Sequence, residues 1–299
     1  MKIAVLMSTY NGEKYINEQL RSIAMQTAIS NITLYIRDDG SSDQTLQIID
    51  KWRDKINIIL FTDKNVGPAR SFWKLLKNPE IHADYYAFCD QDDVWDKDKI
   101  EKQIATLDEN IHMSCCNYRL IDAENEIIDA RTNVLSPSFT IQDVIVTGAS
   151  QGCSMVFDDQ FREMIISLQI SCIPMHDFIL ELCAIAFECV TWIQDPLFSY
   201  RTHSNNVVFR QNRNLTYYFN KYKRMHATRN KDSIELVSRE LLNNCGDIIE
   251  DQDKSFLMAL SGYRNSVSNK FKIIKMLQNR NYSAKSLRSF EAKILLGIL

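Results

Sequence analysis

The residues with most obvious chemistry are Asp90-Gln91-Asp92-Asp93, three carboxylates within four positions directly after the apolar run Tyr85 to Cys89. Like charges so close repel unless a cation or hydrogen bonds offset them. Carboxylates are hard oxygen ligands that suit Mg²⁺ or Mn²⁺, ions that commonly bridge a protein carboxylate to a diphosphate. A solvated acidic turn ahead of the next helix is the competing reading. A calcium loop beginning at Asp90 fails, because the sixth position is Trp95 where glycine is required and the fifth is Val94. Three further segments invite the same question. Arg37-Asp38-Asp39-Gly40-Ser41-Ser42-Asp43 offers carboxylates and hydroxyls that could bind a ligand or cap a helix. His176-Asp177 follows Pro174, where a carboxylate serves either as a base or as a partner for a helix dipole. Ser8-Thr9-Tyr10-Asn11-Gly12 is a polar stretch directly after an apolar one.

All but His176-Asp177, which stands at the start of a helix, sit where a strand should end, as does the loop Asp63 to Gly67. Apolar runs at Ile3 to Met7, Ile32 to Ile36, Ile56 to Phe61 and Tyr85 to Cys89 alternate with amphipathic stretches. The pattern predicts helices over Glu13 to Gln26, Thr45 to Trp52, Ala69 to Leu76 and Asp98 to Asn110, with Asp43 capping the second. That alternation predicts an α/β fold, a mainly parallel sheet with helices on both faces. In such sheets ligands bind at the carboxyl ends of strands, where all these loops fall. Of only eight glycines, Gly12, Gly40 and Gly67 lie in three of the loops. Beyond Leu120 the pattern loosens, with a break at Ser136-Pro137, a small-residue loop from Thr147 to Ser154, a helix from about Asp177 to Glu188 and a strand Val190 to Ile193 leading into Asp195-Pro196.

The 299 residues are 45% hydrophobic and 24% charged, which excludes disorder and fibres. The net charge of −3 argues against a nucleic-acid footprint over the whole surface, but it is unevenly spread. Residues Met1 to Arg210 carry 19 bases and 30 acids, and Gln211 to Leu299 carry 16 and 8. A boundary near residue 210 therefore separates an acidic body (1–210) from a basic, helical region (211–299) containing Tyr217, Tyr218, Phe219 and Tyr222. The eight cysteines form no Cys-x-x-Cys pair and read as reduced thiols. The apolar run at Met1 to Met7 is too short for a signal peptide, and Phe178 to Ile193 is interrupted by Glu181 and Glu188, so the expectation is a cytoplasmic chain without a membrane span.

Seven segments in order resemble the family 2 glycosyltransferases of the GT-A fold over roughly Lys2 to Asn206. They are Ser8 to Gly12 with Tyr15-Ile16, Asp38 to Asp43, Asn65-Val66-Gly67 with Ala69-Arg70, Asp90 to Trp95, Gly152-Cys153-Ser154-Met155, His176-Asp177, and Tyr200-Arg201-Thr202-His203-Ser204-Asn205-Asn206. The resemblance implies that Thr9, Tyr10, Asn11, Asp39, Asn65, Gly67 and Arg70 bind the nucleotide, with Asp90 toward the ribose. It implies Asp92, Asp93 and His203 at a Mn²⁺ or Mg²⁺, and Gly152, Cys153, Ser154 and His176 on the acceptor side. Asp177 resembles the base of inverting members, with Phe178 where Trp is common. An acceptor hydroxyl must lose its proton as it attacks the anomeric carbon, which a carboxylate on the acceptor side can accomplish.

The combination Cys-Asp-Gln-Asp-Asp-Val-Trp, Met-His-Asp-Phe and Tyr-Arg-x-His is most similar to bacterial rhamnosyltransferases of surface-polysaccharide synthesis. The implied donor is dTDP-L-rhamnose, with a UDP-hexose as competitor, and the implied acceptor is a saccharide or a lipid-linked saccharide. The stretch Lys254 to Leu299, with nine bases against Glu291 alone, suggests peripheral contact with an anionic membrane or, equally, an oligomer contact. A Rossmann dehydrogenase would need Gly-x-Gly-x-x-Gly after the first strand, and a nucleotidyltransferase a glycine-rich phosphate loop; only Gly12 is present there. A phosphohydrolase of the Asp-x-Asp type would place its nucleophile where Ser8 and Thr9 stand. The non-enzyme alternative is a sugar-nucleotide binding module, which would tolerate loss of Asp177.

Overall fold

Strand β1 (Ile3–Thr9) is apolar along nearly its whole length because both of its faces are covered. Alternate side chains divide between two cores: Ile3, Val5 and Met7 enter one, and Ala4 and Leu6 the other. A computed structural model describes residues 1–148, 150–203, 233–278 and 282–299. In it β1 pairs in parallel with β2 (Ile32–Asp38) and β4 (Tyr85–Cys89), and β2 with β3 (Asn57–Thr62). Helices α1 (Ile16–Ala24) and α2 (Thr45–Asp50) cover one face and α3 (Pro68–Leu76) the other.

The sheet continues through mixed pairings. After β5 (Val94–Trp95) and α4 (Lys99–Ile104) come β6 (Met113–Ile121), β7 (Ile127–Asp129), α5 (Ile141–Thr147), β8 (Val156–Asp158), α6 (Asp159–Ser167), α7 (His176–Ala186) and β9 (Val190–Arg201). The order is β3-β2-β1-β4-β8-β6-β9-β5, with β7 on β6. Strands β4 and β6 pair antiparallel with β8, and β6 pairs in parallel with β9. The expected α/β architecture, a mainly parallel mixed sheet flanked by helices and followed by a helical region, is present.

Several elements differ from the periodicity. The first helix begins at Ile16 rather than Glu13, because Asn11 adopts a positive φ of 48° and the Gly12 carbonyl accepts from Tyr15 and Ile16 to form a turn. The fourth ends at Ile104, six residues early, because the Asp108 carboxylate accepts from the backbone N–H of Asn110 and Ile111 and holds a tight turn. Helix α2 stops at Asp50, and its cap position is Gln44; Asp43 stands one residue earlier and accepts from the Glu13 N–H and the Thr45 hydroxyl. Strand β9 runs on through Asp195-Pro196 to Arg201. Its register on β6 slips between Cys116–Ile193 and Asn117–Pro196, and that irregularity accommodates a proline lacking an N–H. Strands β6 and β8 carry no clear alternating signal, since Ser114 and Asn117 are buried polar residues; Asn117 Nδ2 donates to the carbonyls of Asn133 and Gln194.

Helices α8 (Ile234–Cys245), α9 (Asp251–Leu260), α10 (Val267–Leu277) and α11 (Ala284–Leu296) follow. Their apolar faces, including Val237, Leu241, Phe256, Leu260, Ile273 and Phe290, join the larger core alongside α5 and α7. The expected boundary near 210, the aromatic run at 217–222 and Ser204 to Asn206 lie outside the described residues. All eight cysteines are buried free thiols. No helix among the described residues is long and apolar enough to cross a membrane.

Because Phe256 is fully buried in the same core as Phe88, Phe256→Ala should destabilise the whole chain by about 3–5 kcal/mol. Urea denaturation followed by tryptophan fluorescence and by far-UV circular dichroism should show one shifted transition in both signals. A separate early transition, with the 1–203 portion unaffected, would contradict this packing.

Candidate active site

The loops at the carboxyl ends of β1, β2 and β4 converge on one cleft of about 720 Å³, closed on the far side by the start of α7. Thr9 is buried, and its hydroxyl donates to Asp38 at 2.9 Å. Asp38 also accepts from the backbone of Gly40 and Ser41, so it shapes the turn in which Gly40 has a φ of 87°. Asp39 faces the cleft from a buried position. It pairs with the buried Arg37 and accepts from the backbone N–H groups of Val66 (2.9 Å) and Gly67 (2.8 Å). Arg37 in turn donates to Ser71 and to the Lys64 carbonyl. One ion pair thus locks the loops after β2 and β3 to α3.

Of the expected nucleotide ligands, Tyr10, Asn11, Asp39, Asn65, Gly67 and Asp90 line this cleft. Thr9 lies beneath it, and Arg70 is exposed on α3 away from the lining. Of the expected metal ligands, Asp92 and His203 line it, and His203 Nε2 lies 2.8 Å from Asp92 Oδ2. Asp93 is instead fully buried below, accepting from the backbone N–H of Arg201 at 3.1 Å. Of the residues expected on the acceptor side, Gly152 and His176 face the cleft beside Asp177, whereas Cys153 and Ser154 are buried behind it.

The carboxylates create an electrostatic problem. Burial, then Asp92 and Asp177, push the Asp90 carboxyl up to about 7, and burial, then Asp92 and Asp90, push Asp93 up as well. A ligand atom each from Asp90, Asp93 and Cys153 can be found within 4.8 Å of one another. Burial raises the Cys153 thiol, so it stays protonated and offers no thiolate to a soft metal. The cleft-facing carboxylates, Asp90 and Asp92, are hard oxygen donors that fit Mg²⁺ or Mn²⁺, with the His203 ring beside them.

Gln91 and Arg201, which stand in the quoted motifs without an expected role, carry the connections. Gln91 clamps two loops: its Oε1 accepts from the Tyr10 N–H at 2.9 Å and its Nε2 donates to the Tyr10 carbonyl. A Cβ on Gly12 would stand 2.3 Å from that Oε1, which is why glycine fits there. Arg201 is wholly buried; it donates to the Asp92 carbonyl and to Glu18, and its guanidinium lies over Tyr15, which stacks on His203 at 4.7 Å. Only its place beside His203 in the chain hints at this role. His176 is buried and stacks on Phe72 at 4.1 Å; burial lowers its pKa, so it is a neutral wall. Asp177 accepts from the Gly152 N–H at 3.2 Å, and a Cβ on Gly152 would stand 2.6 Å from His176 Nε2.

Comparison with known proteins agrees with this geometry. The model of the family described as Glycosyl transferase family 2 matches residues 4–160, just over half of the chain. A dTDP-rhamnosyl transferase, RfbG of Shigella flexneri, is 33% identical over 242 residues, 75% of this chain and 80% of that one. The chain belongs to glycosyl transferase family 2. It is a glycosyltransferase. The poly(ribitol-phosphate) β-N-acetylglucosaminyltransferase TarS of Staphylococcus aureus is 36% identical over 113 residues, 37% of this chain and 19% of that one. A crystal structure of its residues 1–349 with UDP-GlcNAc superposes with a TM-score of 0.60 at 18% identity, covering 93% of this chain and 80% of that one. The mannosyltransferase PcManGT of Pyrobaculum calidifontis, solved with GDP-Man and Mn²⁺, gives 0.54 at 14% identity, covering the whole of this chain and 81% of that one. These neighbours share the GT-A fold.

A folded-state pKa near 7 for Asp90 means that the folded protein holds this proton more tightly than the unfolded chain does. Its stabilising contribution is complete below about pH 4 and is lost as pH rises through 7. In metal-free buffer, Asp90→Asn should therefore stabilise the glycosyltransferase by about 1–3 kcal/mol at pH 8, the gain shrinking toward pH 4. Thermal melts of both proteins in EDTA across this range measure it; a pH-independent difference would refute the strain.

Proposed function

We propose that this glycosyltransferase transfers L-rhamnose from dTDP-L-rhamnose, with inversion, to a saccharide or lipid-linked acceptor in bacterial polysaccharide synthesis. The observation that carries the reading is the one cleft with Asp39, Asn65 and Gly67 at one end, Asp90 and Asp92 between, and Asp177 on the α7 side. The similarity to a dTDP-rhamnosyl transferase over three-quarters of the chain supports the donor. A UDP-hexose is the alternative, supported by the TarS likeness.

In this reading Tyr10, Asn11 and Asp39 hold the base, with Thr9 buried beneath them and Arg70 on the exposed side of α3, and Asp90 takes the ribose. Asp92, with Asp90 and His203 beside it and Asp93 anchoring the loop from below, would hold Mn²⁺ or Mg²⁺, which supplies positive charge against the diphosphate. Asp177 accepts the proton of the acceptor hydroxyl as its oxygen bonds to the anomeric carbon and the carbon–oxygen bond to the diphosphate breaks. The Gly152 N–H fixes one carboxylate oxygen of Asp177, and the neutral His176 ring, with the Cys153 and Ser154 backbone behind Gly152, walls the acceptor side.

A thermal-shift screen of dTDP, UDP, GDP and CDP, each with and without Mn²⁺, tests the donor. The dTDP with Mn²⁺ should give the largest rise, corresponding to about 2.7 kcal/mol at a hundredfold excess over Kd. Asp177→Asn should retain that rise yet lose about 10²–10⁴ in turnover. A larger rise with UDP moves the donor to a hexose, and undiminished turnover in Asp177→Asn removes the base.

We place a peripheral membrane contact on α10 and α11. Val267, Phe271, Leu295 and Leu296 are each more than half exposed among Lys270, Lys272, Lys275 and Lys293, and Lys270 Nζ donates to the Leu295 carbonyl. Each base near an anionic bilayer adds about 1 kcal/mol. Truncation is a poor test because the same helices bury Ile273, Leu277, Phe290 and Ile294 in the core. Charge reversal of Lys270, Lys272 and Lys275 to Glu should instead abolish salt-sensitive sedimentation with phosphatidylglycerol vesicles. Sedimentation unchanged by the reversal would sink the contact, and a self-associating wild type that ignores vesicles would assign the face to an oligomer.

A further inference from the structure

Strand β3 forms one end of the sheet, and among the described residues no strand pairs with its outer side. Its sequence, Asn57-Ile58-Ile59-Leu60-Phe61-Thr62, holds no charge and no proline, and Ile59 is 40% exposed. Proteins ordinarily blunt such an edge with short strands, charges or prolines, because its row of N–H and C=O groups is a template for another strand. The other edges obey that rule: β5, at the far end, has two residues, and β7, which branches from β6, has three.

The ladder with β2 fixes which backbone groups face outward. Along a strand, successive residues direct their N–H and C=O to opposite sides. The Asp63 N–H donates to the Asp38 carbonyl at the end of β2, at 3.2 Å, so the backbone groups of Phe61 and Ile59 also face β2 and those of Thr62, Leu60 and Ile58 face away. The Ile58 carbonyl agrees, since it accepts from Arg53 Nη1 at 3.2 Å. Its second lone pair can take another donor.

An antiparallel partner of the same sequence must therefore match even-numbered residues with even-numbered ones. The two-fold register centred on Ile59 does so. Ile58 of each copy exchanges hydrogen bonds with Leu60 of the other, and the two exposed Ile59 side chains meet as a non-hydrogen-bonded pair, the kind with the closer side chains. The same register sets Lys55 opposite Asp63 and Asp54 opposite Lys64, each twice, and all four residues are exposed. Centring on Leu60 sets Lys55 opposite Asn65 and Asn57 opposite Asp63, with no charge match. Centring on Ile58 leaves only Arg53 opposite Asp63. We propose that β3 is the seam of a homodimer in which a second copy adds in the register centred on Ile59, making one continuous sheet. The joined strands run in opposite directions, so the two clefts, at carboxyl ends of strands, open toward opposite ends of the dimer. A six-residue strand spans about 20 Å, which places the seam among small interfaces that dissociate on dilution.

Sedimentation velocity of the full chain over a wide range of concentration should show a reversible monomer–dimer equilibrium. Ile59→Lys should raise the dimer Kd at least tenfold, about 1.4 kcal/mol, with the far-UV circular dichroism unchanged. The register has its own test. Asp54→Lys and Lys64→Glu each set like charges opposite one another in both halves of the seam, so each variant alone should be monomeric where the unsubstituted chain is dimeric. Their equimolar mixture should dimerise, because in the mixed pair every charge at these positions again faces its opposite. A chain that stays monomeric at every concentration, a dimer indifferent to Ile59→Lys, or a mixture no more associated than its components would overturn the proposal. Self-association lost on reversing Lys270, Lys272 and Lys275 but untouched by Ile59→Lys would overturn it too, and would assign the contact to α10.

Discussion

The structure is organised around the cost of keeping Asp90, Asp92 and Asp93 together at the end of a buried strand. Asp93 cannot reach water, and Asp90 is held close to two other carboxylates, so both are driven toward their protonated forms. The fold answers with fixed hydrogen bonds rather than a neighbouring lysine. The backbone N–H of Arg201 meets Asp93, the His203 ring meets Asp92, and the Arg201 guanidinium holds the Asp92 carbonyl. These partners all come from the end of β9, more than a hundred residues away. The long strand, its irregular register across Pro196 and its parallel pairing with β6 are what deliver them.

The opposite solution appears one loop away. Asp39 has a full guanidinium partner in Arg37 and three backbone donor contacts, from Val66 and Gly67. A buried pair so completely hydrogen-bonded is a rigid feature, and removing one member would leave an uncompensated charge. The cleft therefore has a neutralised end, suited to hydrogen bonding with an uncharged base, and an electrostatically strained centre, suited to a cation. In the proposed reading a cation held at that centre would offset the carboxylates and draw the diphosphate to it, which would orient the nucleotide.

Much of this was legible in the chain because it rests on local patterns. Runs such as Ile3 to Met7 and Tyr85 to Cys89 are apolar over consecutive positions, which only strands covered on both faces require, and each hands its polar loop to the same edge of the sheet. Asp39, Asp90 and Asp92 could thus be placed at one edge without coordinates, and Asp177 joined them through the family resemblance alone. What escaped depends on tertiary pairing. Ser114 and Asn117 interrupt the apolar signal of β6 because their partners lie on other segments, and Gln91 is a clamp only because Tyr10 is opposite it. Arg201 stands in a quoted motif without an expected role, and its wholly buried position appears only once the fold surrounds it. Helix ends were misjudged where one side chain redirected the backbone, as Asp108 does after α4.

Helix α7 shows how fold and chemistry are joined on the side proposed for the acceptor. Its carboxylates at 177 and 181 each accept a backbone N–H from the segment 150–152. They lie on one face because four residues make slightly more than a turn. The segment is therefore tethered at two points to the helix that carries the proposed base, and Gly152 leaves just enough room for the His176 ring against it. A shift of the segment would move one oxygen contact of Asp177. In the proposed reading acceptor entry and the orientation of Asp177 are therefore coupled, because the Gly152 N–H that contacts its carboxylate belongs to this segment.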